Sequence, residues 1–284
     1  MGTHFTGNLI RLIFVFLIEN VLPAVRLDSL HIHEGVAYGR RITVEQLLSH
    51  TSGIADYMED PRFIPDVLEH PQTTYNSVKI LEKYYQYQTN EKATCIPGED
   101  YNYSDVNYVL LAMIIEQVTH STLQMQLKTR LFDRLGMENS YLEYYEKPRG
   151  DEPLSHAFFG PYDLIDEVNT SFDWGGGGIV STCPELNIFF RALLQGQLFR
   201  QESTLKLMLA QADRGLGGTD YDYGYGIMKR SLQGLTFYGH GGAYDCDVFN
   251  CPEQRISICL SLNQMNTHGL RDKFLLQALE IIID

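Results

Sequence analysis

The segments that look like β-strands are gathered at the C-terminal end of this sequence. After Asp213, "YGYGIMKRSL", "LTFYGHGGAYDCDVFNCP" and "RISICLSLNQ" alternate or run apolar over strand lengths, with Gly or Pro between them. Short connections of this kind join neighbouring strands, so the pattern predicts an antiparallel meander. "LRDKFLLQALEIII" then predicts a closing helix. The rest of the fold has to be built around a sheet that comes late in the chain.

Helical patterns occupy the middle of the sequence, which has 284 residues. They are predicted for 44–49, for "NSVKILEKYYQY", for the segment after Ser104, for "LQMQLKTRLFDRLGM" and for the segment after Ser181 or Thr182. Helices followed by strands predict an α/β (α+β) fold, with an antiparallel sheet flanked by helices and a mostly helical lobe. We expect a single domain over 1–284, in which about 42–212 form the helical lobe and about 213–284 the C-terminal strands and helix.

Composition excludes several classes of partner. The net charge of −14 is spread without clustered Lys or Arg, so no nucleic acid partner is expected.

Five cysteines without a CxxC pair predict mostly free thiols, and neither a metal nor another cofactor is expected. The run "LIRLIFVFLI" is too short for a transmembrane segment and contains Arg11. It lacks a cleavage site, so no clear signal peptide is present and a buried helix is predicted.

The stretch "PGEDYNYSDVNYVLLAMIIEQVT" turns from a polar loop into an apolar helix. Ser104 and Asp105 are both suitable N-cap residues, which explains the start of the helix. Tyr103, directly before them, has two interpretations. Its ring belongs to the core, which is the commoner use of tyrosine, or its hydroxyl belongs to a site.

Several segments together resemble one family. "ITVEQLLSHTSGIADY", "YSDVNYVLLAMIIEQVT", "LFDRLGMENSYL", "GGGGIVSTCPEL" and "YGHGGAYDCDVF" are similar, in family order, to motifs of the class C serine β-lactamases. The same motifs occur in the related penicillin-binding proteins, DD-peptidases and β-lactamase-like esterases. The resemblance covers the chain from about Ile42 to the C-terminus. It implies a serine hydrolase that attacks a peptide, ester or lactam carbonyl and forms an acyl-enzyme.

The resemblance also implies roles for individual residues. Tyr103 matches the tyrosine that, with a lysine, serves as base for the serine nucleophile. Asp105 replaces the usual Asn; a carboxylate accepts hydrogen bonds but cannot donate one to a substrate amide, which favours a peptidase or esterase over a β-lactamase. His240 matches the donor or cationic residue of the substrate-anchoring strand. The resemblance also implies that Gly241 and Gly242 bind the substrate. It implies Ala243 and Tyr244 as substrate-binding residues at the oxyanion hole.

The nucleophile motif Ser-x-x-Lys is missing from its expected place. Aligning Phe5 and Thr6 with the family pattern puts Thr3 at the lysine and the serine one residue before Met1. The chain is therefore expected to be N-terminally truncated, without the family's leading strands, and inactive as written. The one Ser-x-x-Lys, at Ser203 and Lys206, is explained by a serine cap on an amphipathic surface helix.

Two further motifs have structural explanations. Ser49, His50 and Ser52 could suggest a hydrolase triad, but the family uses this segment as a turn. "WGGGGIV" has no Gly-Lys-Ser/Thr after it, so close backbone packing explains it better than a phosphate loop.

Two functions remain open at this stage. The first is a hydrolase with a small-molecule or peptide substrate, such as a cell-wall peptide, an ester or a lactam. The second is a non-catalytic descendant that binds a peptide or a protein partner. Relatives usually work outside the cytoplasm, whereas this sequence does not indicate its compartment.

Overall fold

The structure is a computed structural model that describes residues 16–22, 25–148, 153–265, 267 and 269–283. The alignment of Thr3 and Phe5 with the nucleophile motif falls outside the described residues. Most of the predicted N-terminal helix over 9–18 falls outside them as well. Within the described part, Ile18–Asn20 forms a 3-10 turn.

The described helices include those that the sequence patterns predict and several short ones that they do not. In chain order they are α1 (Leu27–Leu30), α2 (Val44–Leu48), α3 (Phe63–Glu69), α4 (Ser77–Gln86), α5 (Asp105–Thr119), α6 (Leu123–Leu127), α7 (Asp133–Leu135), α8 (Leu164–Glu167), α9 (Trp174–Gly177), α10 (Cys183–Leu194), α11 (Glu202–Ala210) and α12 (Leu270–Ile283). A π-helical turn, Lys128–Phe132, joins α6 to α7. Gly136 ends α7 in the left-handed region, as predicted.

Among the described residues, the strands form one main sheet and three short pairs. They are β1 (Ile32–His33), β2 (Val36–Ala37), β3 (Tyr141–Leu142), β4 (Phe158–Phe159), β5 (Tyr162–Asp163), β6 (Ile179–Val180), β7 (Asp222–Tyr223), β8 (Met228–Leu232), β9 (Leu235–Gly242), β10 (Cys246–Cys251) and β11 (Ile256–Ser261). The main sheet has the order β11-β10-β9-β8-β7, and all its pairs are antiparallel. The predicted meander is confirmed.

Each face of the main sheet is covered by a helix. Phe237, Phe249 and Ile258 point to one face, where they form a core with Leu275 and Leu279 of α12. On the other face, Val248 of β10 packs with Phe190 and Leu193 of α10 and with Ile227. Successive strand residues point to opposite faces, so the alternating sequence pattern is what allows two helices to cover one sheet.

The chain forms two compact units. The first takes in Tyr75–Leu123, Trp174–Gly176 and the described part of Met1–Asp66. The second takes in Val67–Thr74 and the described parts of Gln124–Asp173 and Gly177–Asp284. The lobe boundary predicted near residue 213 lies inside the second unit. In the part of the chain that the structure describes, no helix is both long and apolar enough to span a bilayer.

The glycine run "WGGGGIV" brings two segments of backbone together in the first unit. A Cβ atom built on Gly175 would lie 2.6 Å from the Cβ of Ala112 and 3.0 Å from the carbonyl oxygen of Tyr108, both in α5. Only glycine allows this approach without displacement of the helix. The interpretation of the run as close backbone packing is confirmed.

Two capping predictions have different outcomes. Thr182 caps α10 through its hydroxyl, which accepts from the N–H of Glu185. The prediction that Ser203 caps α11 is wrong, because the extended residue before this helix is Gln201 and Ser203 lies within the first turn. Lys206 forms an exposed ion pair with Glu202 at 2.8 Å, so the predicted surface helix is confirmed.

Candidate active site

Tyr103 lies directly before α5 in an aromatic stack of the first unit. Its ring stacks on that of His50, with centroids 4.1 Å apart and planes 27° apart. His50 stacks in turn on Tyr108 of α5, at 5.0 Å and 28°. Stacked rings of this kind hold each other's orientation while their polar atoms stay available at the edges.

His50 is fixed by polar contacts to the start of α5. Its Nδ1 accepts the backbone N–H of Ser104 at 3.1 Å and lies 3.0 Å from the side-chain nitrogen of Asn107. A nitrogen that accepts a backbone N–H carries no proton, so the proton of the neutral imidazole is on Nε2. The ring of His50 therefore stacks on Tyr103 and is also hydrogen-bonded to Ser104, the residue that follows Tyr103.

The "HTSG" segment forms a turn that holds the same helix. Ser52 is fully buried, donates to the Asn107 side-chain oxygen at 2.6 Å and accepts the N–H of Ile54 at 3.1 Å. Gly53 has φ +71°, and a Cβ there would lie 2.2 Å from the carbonyl oxygen of Cys95. The segment therefore has the structural role that the resemblance implied.

Asp105 is the first residue of α5, and a second carboxylate caps it. Its N–H donates to Oδ2 of Asp56 at 3.0 Å. Burial raises the pKa of Asp56 to about 6, although hydrogen bonds from the N–H groups of Asp105 and Met58 act in the opposite direction. A Cβ on Gly176 would lie 3.2 Å from the Cβ of Asp105, so this glycine leaves room for the Asp105 side chain.

His240 lies on β9 in the second unit, with both ring nitrogens engaged. Nδ1 lies 2.6 Å from the carbonyl oxygen of Gly241, and Nε2 lies 3.1 Å from the hydroxyl of Tyr223. A carbonyl only accepts, so Nδ1 carries the proton and Nε2 accepts from Tyr223. Burial lowers the pKa of His240, which leaves the ring neutral near pH 7.

The two glycines after His240 lie against the side-chain ends of two β10 residues, which would have to move if either glycine carried a side chain. A Cβ on Gly242 would lie 2.5 Å from Sγ of Cys246, and one on Gly241 would lie 2.9 Å from Oδ1 of Asp247. Ala243 and Tyr244 then occupy the turn between β9 and β10. The two positions predicted for the oxyanion hole therefore lie directly after the end of β9.

Sequence reasoning missed two acidic residues near Tyr244. Burial and the neighbouring carboxylates of Asp173 and Glu143 raise the pKa of the Tyr244 phenol. Burial, followed by Glu143, raises the pKa of Asp173 to about 7. Glu143 accepts a hydrogen bond from Thr170 at 2.9 Å. Both acids lie within or beside the motif segments, but nothing in the sequence indicated that they share one neighbourhood.

The predicted site residues thus fall into two groups. Tyr103 and Asp105 lie together at the start of α5, whereas His240 to Tyr244 form one strand end and turn of the second unit. In the described part of the chain, no group of three or more His, Cys, Asp or Glu side chains is suited to hold a metal ion.

Comparison with known families assigns the chain to one of them. The family described as Beta-lactamase matches residues 18–280. This chain belongs to the Beta-lactamase family. The family comprises serine hydrolases with the β-lactamase/transpeptidase-like fold, so the resemblance and the fold class predicted from the sequence are confirmed.

Individual relatives of this Beta-lactamase family chain are distant. A D-aminopeptidase of Cereibacter sphaeroides is 22% identical over 243 residues, which cover 84% of this chain and 45% of the relative. A penicillin-binding protein of Bacillus subtilis is 26% identical over 221 residues, covering 72% and 46%. The chain therefore spans less than half the length of these curated relatives.

Solved structures give the same result for the fold. A D-stereospecific amidohydrolase from Streptomyces sp. is 28% identical in sequence to this chain, and its crystal structure matches the fold with a TM-score of 0.75. The match covers 89% of this chain and 75% of that one.

Proposed function

We propose that this chain provides the general base and the substrate-anchoring strand of a serine hydrolase that cleaves amide or peptide bonds through an acyl-enzyme. The observation that carries the proposal is the support of Tyr103. Its ring stacks on His50 at 4.1 Å, and His50 is hydrogen-bonded to the residue that follows Tyr103. A proton-transfer group has to stay in one place through the reaction, and this stack restricts its ring.

In the proposed reaction Tyr103 takes the proton of the serine hydroxyl as the serine attacks the carbonyl carbon. It then returns the proton to the leaving amine, and a water molecule repeats the cycle on the acyl-enzyme. The oxyanion is stabilised by backbone N–H groups, with Ala243 or Tyr244 as one donor. His240 is neutral and donates to Gly241, so in this proposal it orients the strand end through Tyr223 and Gly241.

Two observations support the substrate class that we propose, one from the site and one from the relatives. Asp105 supplies acceptors only, which suits a substrate that offers an N–H or an ammonium group better than one that offers a lone carbonyl. The relatives named above are a D-aminopeptidase, a penicillin-binding protein and a D-stereospecific amidohydrolase. We therefore propose small amides or peptides with a D-residue at the scissile bond, with esters as faster surrogate substrates.

The proposal is tested by supplying the nucleophile motif in register. A serine is placed directly before Met1 and combined with Thr3→Lys, and the matched control has alanine at the added position. We expect the serine chain to hydrolyse D-alanine p-nitroanilide faster than the L-isomer and to gain one fluorophosphonate adduct on the added serine. We expect neither result with the alanine chain.

The 284-residue chain without the added serine distinguishes the hydrolase from the second candidate function, a binding protein. A folded sample that binds cell-wall peptides but stays unlabelled, together with an inactive serine chain, would contradict the enzyme and support a binding protein. The observation that favours this alternative is that Lys206 of the one Ser-x-x-Lys is 73% exposed and ion-paired with Glu202. An adduct on a serine of the unextended chain would instead contradict the role assigned to the added serine.

A further inference from the structure

Thr170 joins two acidic residues of the second unit. Its hydroxyl donates to Oε2 of Glu143 at 2.9 Å, and its backbone carbonyl accepts the N–H of Asp173 at 3.0 Å. Both acidic residues are partly exposed. Among the described residues, no Lys or Arg side chain forms an ion pair with either of them. Two carboxyl groups are therefore held near one residue without a cation between them.

Tyr141 points to the same side of the chain as Glu143. Strand β3 pairs with β6, and the N–H of Glu143 continues this ladder by donating to the Gly178 carbonyl at 2.9 Å. Residues two apart on a strand share a face, so the Tyr141 and Glu143 side chains lie on one side. Tyr141 is only 7% exposed, and among the described residues its hydroxyl has no hydrogen-bond partner. A hydroxyl of a buried side chain without a partner indicates that a ligand completes the site.

Two further tyrosines lie next to the acids. The Tyr144 hydroxyl donates to the Val168 carbonyl at 3.1 Å, which holds its ring beside the segment that leads to Thr170. Tyr144 is 43% exposed, so this side of the group is open to solvent. The Tyr244 phenol is close enough to both carboxylates for them to raise its pKa in addition to burial. We name the group the acidic-aromatic cluster; it consists of Tyr141, Glu143, Tyr144, Thr170, Asp173 and Tyr244.

We propose that the acidic-aromatic cluster binds the ammonium group of a ligand with a free primary amine, such as the N-terminus of a short peptide or of an amino acid amide. An ammonium group has three donors, and the two carboxylates and the Tyr141 hydroxyl are acceptors for them. The tyrosine rings add faces that attract a cation. Burial raises the pKa of Glu143, and burial followed by Glu143 raises that of Asp173 to about 7, as expected where a cation is missing.

The position of Tyr244 connects this cluster to the predicted oxyanion hole. Its phenol belongs to the cluster, and its backbone lies directly after the end of β9. An ammonium group bound here would be near the carbonyl that is attacked, and only one carbon separates these two groups in an α-amino acid amide. The identification of the amine as part of the substrate rests on the proposed hydrolytic function. It narrows the substrate class to amides and peptides whose amino group is unblocked.

The experiment measures binding to the folded 284-residue chain, because binding needs no nucleophile. D-Phenylalanine amide is titrated into the chain by calorimetry at about pH 7, where an α-amino group is protonated. The matched ligand is N-acetyl-D-phenylalanine amide, which lacks the ammonium group. We expect the free amine to bind about 10- to 100-fold more tightly, the usual effect of hydrogen bonds to charged groups. Equal affinities, or no detectable binding of either ligand, would overturn the proposal.

Variants test which side chains hold the amine. Glu143→Gln and Asp173→Asn keep the shape but remove the charge, so we expect each to lose about 10- to 100-fold in affinity for D-phenylalanine amide and none for the acetylated amide. Tyr141→Phe should weaken the same ligand. Glu138→Gln, at an exposed position of the same unit, is the control and should bind as the parent does. Parent affinity in both carboxyl variants would contradict the assignment. If a variant fails to fold, the comparison of the two ligands on the parent chain decides.

The outcome is separate from that of the test of hydrolysis. A chain with the added serine that cleaves amides, together with a parent chain that shows no preference for the free amine, would contradict the amine site alone. A preference for the free amine together with an inactive serine chain would contradict the hydrolase and leave the amine site in place.

Discussion

A tyrosine that moves a proton has to keep its ring in place while its hydroxyl changes partners. His50 contributes to this requirement in two ways, because it stacks on the Tyr103 ring and accepts the N–H of the next residue, Ser104. His50 takes up a left-handed backbone conformation, with φ 53°, to reach this place. The position of the proposed base is therefore determined by the "HTSG" turn as much as by α5.

Removal of the Tyr103 hydroxyl tests its role as base. In the chain that carries the added serine and Thr3→Lys, we expect Tyr103→Phe to lower kcat by about 10²- to 10⁴-fold, the usual contribution of a general base. The phenyl ring keeps the stack on His50, so the melting temperature should not change. The control is Tyr101→Phe, whose ring meets His50 edge-on at 6.1 Å and which should keep full activity. Turnover retained in Tyr103→Phe would remove the tyrosine from the mechanism.

At the scale of elements, α5 also has two contacts with the first unit beyond the "HTSG" turn. Asp56 caps its first N–H, and Gly175 allows α9 to approach its backbone. Neither contact is local in sequence. The helix is therefore placed by tertiary contacts even though its own sequence is strongly helical.

The close approach at Gly175 predicts that a methyl group added at this position destabilises the fold. Gly175→Ala would place a Cβ 2.6 Å from Ala112, and we expect a loss of about 1–3 kcal/mol in the free energy of unfolding, typical of overpacking. Gly177→Ala is the matched control, because it lies in the same helix and its Cβ would meet nothing within 4 Å. Equal urea midpoints for the two variants would contradict this account of the glycine run.

The buried carboxylate of Asp247 connects the main sheet to α12. It lies 3.2 Å from Arg271 and 3.9 Å from Arg230, and its side chain is almost inaccessible. Arg271→Met leaves Asp247 with the more distant arginine alone, so we expect a loss of about 1–3 kcal/mol in urea unfolding, since breaking a buried pair leaves a charge uncompensated. Lys206→Met removes the lysine of an exposed pair and should leave the urea midpoint unchanged. If the urea midpoint is unchanged in both variants, the ion pair between Asp247 and Arg271 adds no stability.

The sequence predicts these elements where the information is local. The helices and the meander follow from apolar periods of 3.6 and 2 within short windows, and Thr182 caps α10 from a neighbouring position. The cap on Asp105 comes from Asp56, 49 positions away, and periodicity cannot reveal such a pair. The Ser203 error has a similar cause, since Ser203 and Gln201 differ in backbone conformation and not in apolar pattern. At the candidate site, motif order predicts roles for Tyr103 and His240, but it gave no indication of the two carboxylates near Tyr244.

At the scale of the whole molecule, three carboxyl groups with raised pKa values affect the response to pH. Burial raises the pKa of Asp56 to about 6, that of Asp247 to about 6 and that of Asp173 to about 7. Between about pH 4 and pH 7 the folded chain keeps protons that the unfolded chain has released. Each of these groups therefore lowers the free energy of unfolding as pH rises through that window.

Asp173→Asn should reduce this loss of stability. The amide imitates the protonated acid, so we expect the variant to gain about 1–3 kcal/mol over the parent on going from about pH 4.5 to about pH 7.5. Urea midpoints at the two pH values measure the difference. The control, Asp220→Asn, changes an exposed loop residue and should follow the parent at both values. If the urea midpoint of Asp173→Asn differs from that of the parent by the same amount at both pH values, Asp173 does not titrate in this window.

The order of the main sheet has a consequence for how the chain acquires its structure. Every neighbouring pair from β7 to β11 is also consecutive in the chain, so each strand finds its partner across a short turn. Contact order within this sheet is low, and loop closure costs little entropy at each step. The sheet can therefore grow one hairpin at a time. The start of α5, whose partners His50 and Asp56 are about fifty residues upstream, has to wait for a much longer loop to close.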